Sequence, residues 1–160
     1  MVDRSRLFDY AGGETARSTR FLAGVHTDDV AVILGHTQTR TYPAGGYAVR
    51  AGQRDRTLYV ITGGAFEVVL PGRVGEAGGE AQAATLTPGD IFGELSFFDD
   101  EPRSADVRAL VAAEVVVLTP AGFERLRVER PRLALLVVMD LGRVLSLRYR
   151  QLGVLGGPKQ

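Results

Sequence analysis

Between residues 37 and 119 the chain is divided into short β-rich runs, each closed by a turn signal after about ten residues, and few folds tolerate that punctuation. Thr39, Thr41 and Tyr42 suit a strand that Pro43-Ala44-Gly45-Gly46 stops. Tyr47 to Arg50 forms a second, ended by Gly52. Leu58 to Thr62 turns at Gly63-Gly64 into Ala65 to Leu70, which reads as a hairpin. Pro71 to Ala81 carries Gly72, Gly75, Gly78 and Gly79 and reads as a loop. Ala83 to Leu86 is the next strand, followed by the turn Pro88-Gly89-Asp90. Ser104 to Leu110 and Glu114 to Leu118 complete the set. Such a series predicts an antiparallel β-barrel or jelly roll, also called a double-stranded β-helix.

Helical patterns flank this region. Phe21 to Gly35 reads as a helix capped by Thr27, with Val30, Ile33 and Leu34 at helical spacing. Pro120 suits a first helical turn, and Phe123 and Leu126 share the face that follows. Pro131 breaks that helix, and a longer one runs from about Arg132 to Leu152. Leu133, Leu136, Val137, Leu141, Val144 and Leu145 form its apolar stripe. The predicted class is therefore α+β: a barrel with an N-terminal helix and two C-terminal helices. Residues 1–20 read as an arm and 21–152 as the domain, with the barrel at about 37–119 and the C-terminal helices at about 120–152. Residues 153–160 read as a flexible tail.

Composition removes several functions. The 160 residues suit one domain with a sizeable core. Lys plus Arg and Asp plus Glu number 19 each, so broad attraction to phosphate chains is missing and direct nucleic-acid binding is not expected. The chain has no cysteine, which excludes disulfides, thiolate catalysis and cysteine metal sites. His26 and His36 lack metal-ligand spacing, and no Ser/His/Asp arrangement stands out, so the chain reads as a non-enzyme without a metal. The longest apolar run, Leu133 to Met139, falls short of a membrane span, and the N-terminus has no signal-peptide core. The expected location is the cytoplasm.

Phe92 to Ala105, FGELSFFDDEPRSA, has the wrong composition for a plain strand. Gly93 permits a tight turn, and Glu94 to Phe98 can make one helical turn whose leading amides suit an anion. Arg103 follows the stop at Asp99-Asp100-Glu101-Pro102 and can grip a phosphate with two donors. Ser104 adds a hydroxyl, and Glu94 is an acceptor for a sugar hydroxyl. A small sugar phosphate needs these groups together. The plainer alternatives are a surface ion pair of Arg103 with Asp99, Asp100 or Glu101, and a core role for Phe97 and Phe98.

FGELSFFDDEPRSA resembles the phosphate-binding cassette of cyclic-nucleotide-binding domains, as found in catabolite activator proteins, cyclic-nucleotide-gated channels and kinase regulatory subunits. TYPAGGYAVRAGQ, LYVITGGAFEVVL, LTPGDIFGELS and VRALVAAEVVVLTPAGFERL follow the same order, so the resemblance covers roughly Phe21 to Leu152. It implies that Glu94 accepts from the ribose 2′-hydroxyl and that Arg103 pairs with the cyclic phosphate. It further implies that the backbone around Gly93, Leu95, Ser104 and Ala105 supports the sugar phosphate, with Phe92 and Ser96 beside it. Val68, Ala83 and Ala84 would lie near the base. The implied ligand is cAMP or cGMP, with cAMP favoured, and no cofactor is implied.

Two positions depart from the family pattern. Asp106 stands where relatives often carry Thr, and strand alternation places it on the side of Ser104, near the phosphate. Gly46 replaces a frequent Glu. The resemblance implies a sensor whose C-terminal helices move on binding, with Arg143, Leu147, Arg148, Tyr149 or Arg150 covering the base. Its partners would be an effector protein or a fused output domain, and the last helix could pair with its copy in a homodimer. The alternative is a ligand-less barrel serving as a protein-interaction scaffold, to which Asp106 lends weight.

Overall fold

A computed structural model describes residues 20–71 and 81–151. The expected arm, the glycine-rich stretch after Pro71 and the tail lie outside the described residues. Eight strands occur among the described residues: β1 Gln38–Tyr42, β2 Tyr47–Val49, β3 Leu58–Gly63, β4 Phe66–Leu70, β5 Ala81–Leu86, β6 Ile91–Phe92, β7 Asp106–Ala109 and β8 Ala113–Leu118. Four helices join them: α1 Thr27–Leu34, α2 Glu94–Asp99, α3 Pro120–Glu129 and α4 Pro131–Gln151.

The strands form two four-stranded sheets, ordered β1-β8-β3-β6 and β2-β7-β4-β5. All recorded pairings are antiparallel. The jelly-roll expectation holds, as two sheets rather than a closed barrel. Leu58 to Ile61 and Val115 to Leu118 are unbroken apolar runs because β3 and β8 are covered on both faces. Tyr59, Ile61, Val115 and Val117 face Phe66, Phe92 and Val107 between the sheets. Leu58, Val60, Val116 and Leu118 face the other way, into a core shared with Val30, Ile33, Leu126, Val137, Leu141 and Val144 of the helices.

Three of the boundaries that differ from the sequence reading have a clear local cause. The first helix begins at Thr27, not Phe21, and its cap is His26, whose Nδ1 accepts from the Asp28 amide at 3.3 Å. Leu22 (φ 57°) and Gly24 (φ 85°) carry the preceding segment through left-handed turns that no helix accommodates. The strand expected from Ser104 begins at Asp106. Arg103 instead exchanges backbone bonds with the turn before β3, donating to Gln53 O at 2.9 Å and accepting from Gly52 N at 2.8 Å. The last helix starts at Pro131, where a missing N–H costs nothing.

The stripe on α4 packs inward through Leu133, Ala134, Val137, Leu141 and Val144. Polar bonds fix the same helix to the segment before α1. Asp140 Oδ2 accepts from Leu22 N at 2.5 Å, and Arg143 donates to Arg20 O at 2.8 Å and to Asp140 at 2.6 Å. Phe21 N in turn donates to Gly89 O at 3.0 Å, linking that segment to the turn before β6.

Candidate functional site

β6 is only two residues long because Gly93 (φ 81°) turns the chain out of the sheet. That left-handed conformation suits glycine, and the space around it demands glycine as well. A Cβ there would lie 2.5 Å from Arg103 Nη1 and 2.7 Å from Thr57 O. Gly93 has no side chain with which to cap the leading amides of α2. α2 closes at Asp100 (φ 61°), a residue type that tolerates this region.

Arg103 is the centre of the arrangement. Its side chain is only 3% exposed. Nη1 donates to Gly93 O at 2.9 Å, and Nη2 donates to Thr57 O at 2.7 Å and to Asp55 Oδ2 at 2.8 Å. Three of its five N–H groups are thus held by protein acceptors. Nε is buried without a hydrogen-bond partner. The guanidinium also lies 5.6 Å from the Tyr59 ring centroid. Its carboxylate partner is Asp55 and not the acidic run beside it in sequence.

Asp55 was missed in the sequence, although Asp55-Arg56-Thr57 has the pattern of an Asx turn. Its Oδ1 accepts from the Thr57 amide at 3.0 Å and the Thr57 hydroxyl at 2.7 Å. Partial burial pushes the Asp55 carboxyl up, but the Thr57 and Arg103 bonds together outweigh it and leave the group below its ordinary value. Tyr59, beneath this pair, has its phenol pushed up to about 12, first by burial and then by the Asp55 charge.

Glu94 sits opposite, at the first position of α2. It is buried, and its Oε1 accepts from Arg148 Nη1 of α4 at 2.8 Å. Arg148 Nη2 donates to Ile91 O at 2.8 Å. Ser96 is buried in α2. Phe97 is buried and meets Phe123 of α3 edge-on at 5.2 Å. Phe98 is 43% exposed, so only one of the two expected core aromatics enters the core.

These residues enclose a cavity of about 570 Å³, a size suited to a small ligand. Phe92, Gly93, Glu94, Leu95, Ser96, Arg103, Ser104 and Ala105 all line it, as do Val68 and Ala84. Ala83 lies on β5, but its side chain is outside the described residues. Val49, Leu86 and Val107 add an apolar wall, and Arg148 and Gln151 reach it from α4. Of the residues proposed to cover the base, Arg148 reaches the cavity, Arg143 is bound to Asp140, and Tyr149 is exposed.

Asp106 does not stand beside Ser104 on the cavity wall. Its Oδ1 accepts from Ala51 N at 2.6 Å and lies 3.9 Å from Arg50 Nε. Strand alternation failed as a guide because the strand starts only at Asp106. Among the described residues no cluster of His, Asp and Glu could hold a metal ion, and no helix is long and apolar enough to cross a membrane.

The family described as the cyclic nucleotide-binding domain matches residues 39–130. Glutaminase 1 of Bradyrhizobium diazoefficiens is 32% identical over 127 residues, which are 79% of this chain and 19% of that protein. The cAMP-activated global transcriptional regulator CRP of Salmonella typhimurium is 30% identical over 121 residues, 75% of this chain and 56% of the regulator. The crystal structure of Thermus thermophilus catabolite activator protein superposes with a TM-score of 0.72 at 28% identity, covering 83% of this chain and 59% of that one. The chain thus spans little more than half the length of the regulator and about a fifth of the glutaminase.

Proposed function

The chain belongs to the cyclic nucleotide-binding domain family, and we propose that it binds a cyclic nucleotide, cAMP in preference to cGMP, as a regulatory sensor without catalytic activity of its own. One observation carries this reading. Arg103, which lines the cavity, is buried and braced by three protein acceptors, while its Nε–H is shielded from water and unpartnered. A buried polar group left unpaired is costly, and an anion in that cavity would relieve the cost.

In this reading Arg103 takes the cyclic phosphate, supported by the backbone around Gly93, Leu95, Ser104 and Ala105. Glu94 accepts from the ribose 2′-hydroxyl, Ser96 and Phe92 border the sugar, and Val68, Ala83 and Ala84 lie by the base. Preference for cAMP draws on the similarity to the Salmonella regulator, which is cAMP-activated. The domain spans 21–152, works in the cytoplasm, and passes its signal to an effector protein or a fused output domain through α3 and α4. α4 also pairs with its copy in a homodimer. The scaffold alternative leaned on Asp106, and the bond from Ala51 N removes that support.

Calorimetric titration with cAMP and cGMP, with Arg103→Ala alongside, tests the proposal. Micromolar binding of cAMP, weaker binding of cGMP, and loss of both in the variant are expected. Absence of heat with either nucleotide at about 100 µM protein, where even affinities weaker than micromolar register, would overturn it.

A further inference from the structure

The ring of His36, just past the end of α1, is held from two sides. Its Nδ1 lies 3.0 Å from the Val32 carbonyl oxygen on α1, and its Nε2 lies 3.0 Å from Oε2 of Glu129 on α3. The side chain is only 11% exposed, so water has little access to either nitrogen. A carbonyl oxygen accepts and never donates, and an ionised carboxylate does the same. Each contact is therefore a hydrogen bond only if that nitrogen carries a proton, and a neutral imidazole has one proton for two nitrogens. Only the doubly protonated ring completes both bonds. The neutral ring turns one lone pair on an oxygen, where an unmade bond is costly. α3 meets the same residue through its backbone, since a Cβ on Gly122 would lie 2.5 Å from His36 O. Gly122, Leu126 and Glu129 recur at helical spacing, so one face of α3 carries the close approach, a fully buried leucine and the carboxylate. Phe123, next to Gly122, meets Phe97 of α2 edge-on at 5.2 Å, and Ser96 beside Phe97 lines the cavity.

We propose that His36 is a proton-operated latch: with both nitrogens protonated it fixes the C-terminal end of α3 to α1 and, through Phe123, steadies the helix that lines the cavity. Histidines ordinarily change charge between about pH 5 and about pH 8. The docked ring uses two protons and a released ring in neutral water keeps one. Falling pH therefore favours docking, and docking favours protonation by the same factor. The other charged residues on the surrounding elements are Asp28 and Asp29 at the far end of α1, Arg40 on β1, and Arg125, Arg127 and Arg130 along and just after α3. Among the described residues Glu129 is the charged group bonded to the ring. His26, the second histidine, is exposed at the start of α1 beside Asp28, so its titration is common to every variant compared below. The effect on nucleotide binding rests on the cyclic-nucleotide reading of the cavity; the latch itself does not.

Urea unfolding of the nucleotide-free chain, His36→Gln, Glu129→Gln and the double variant forms a thermodynamic cycle, run at about pH 5.5 and about pH 8. The coupling between the two residues should be about fivefold in the unfolding constant at the lower pH and within about 1.5-fold at the higher. Equal coupling at both pH values, or none at either, would overturn the latch, because a merely structural contact has no reason to follow the charge of the ring. Should His36→Gln not fold, Glu129→Gln decides alone, since its side chain is 58% exposed. A stability difference from the unsubstituted chain that is the same at both pH values would then overturn the latch. Calorimetry with cAMP at the same two pH values tests the link to the cavity. On acidification the unsubstituted chain should gain at least about twofold more affinity than Glu129→Gln. Equal gains would overturn that link. Failure of the unsubstituted chain to bind cAMP would overturn the cyclic-nucleotide reading, with the urea cycle still deciding the latch.

Discussion

A methyl group on Gly93 would lie 2.5 Å from Nη1 of Arg103, so the arginine occupies its position only because the residue ten places earlier has no side chain. The second obstruction, Thr57 O at 2.7 Å, belongs to a backbone that cannot yield as a flexible side chain would. Gly93→Ala should therefore displace Arg103 and also strain a backbone at φ 81°. We expect a loss of about 2–3 kcal/mol in chemical denaturation and at least a tenfold loss of cyclic-nucleotide affinity in calorimetry.

Asp55 ties stability to acidity. Its folded-state value lies below the ordinary 3.8, so its bonds contribute fully above about pH 3.8, and the contribution disappears as pH falls through the lower folded value. Urea midpoints followed from about pH 6 to about pH 3 should fall more steeply for the unsubstituted chain than for Asp55→Asn. The variant should also be the less stable of the two near neutrality, since Arg103 would lose its only ion-pair partner among the described residues.

Asp106→Ala separates fold from site. The substitution orphans the Ala51 amide and removes the neighbour of Arg50. A destabilisation of about 1–2 kcal/mol is expected in urea titration. Nucleotide affinity should change by less than about twofold, because the carboxylate does not line the cavity.

Phe97 and Phe98 should respond unequally to truncation. Phe97→Ala removes the edge-on contact with Phe123 and leaves a hole between α2 and α3, at a cost of about 3–5 kcal/mol. Phe98→Ala, at a residue nearly half exposed, should cost less than about 1 kcal/mol. Guanidinium unfolding curves of the two variants give the comparison directly.

Local chemistry accounts for what the sequence made legible. The runs in β3 and β8 are readable because strands covered on both faces become continuously apolar, and Pro88-Gly89-Asp90 and Pro131 mark boundaries through backbone constraints alone. The cassette from Phe92 to Ala105 is contiguous, so its residues meet by simple chain geometry. Asp55 escaped notice, and Arg148 was expected only as a candidate cover for the base and not as the partner of Glu94, for the opposite reason. They stand 48 and 54 residues from Arg103 and Glu94, and only the assembled sheets and helices bring them together.

Other misses have equally specific causes. Phe97 and Phe98 looked alike in the sequence, yet adjacent positions on a helix point about 100° apart, so one faced the core and the other solvent. The left-handed turn at Leu22 has no signal in a residue that normally avoids it, and the helix therefore seemed to start six residues earlier than it does. His26 acted as a cap with a ring nitrogen where a hydroxyl or carboxylate was sought.

The attachment of Asp140 to the Leu22 amide has a mechanical consequence. It supplies a pivot partway along α4, and the helix from there to Arg148 is a rigid lever about 12 Å long. A tilt of about 10° about Asp140 would swing the end of that lever by about 2 Å, enough to lift a guanidinium out of hydrogen-bonding range. Because the pivot is tied through Phe21 to Gly89, beside the strand that supplies Ile91, fulcrum and load rest on adjoining parts of one frame. A small rotation is thereby converted into the making or breaking of one defined contact, with no need for the helix to leave the body of the protein.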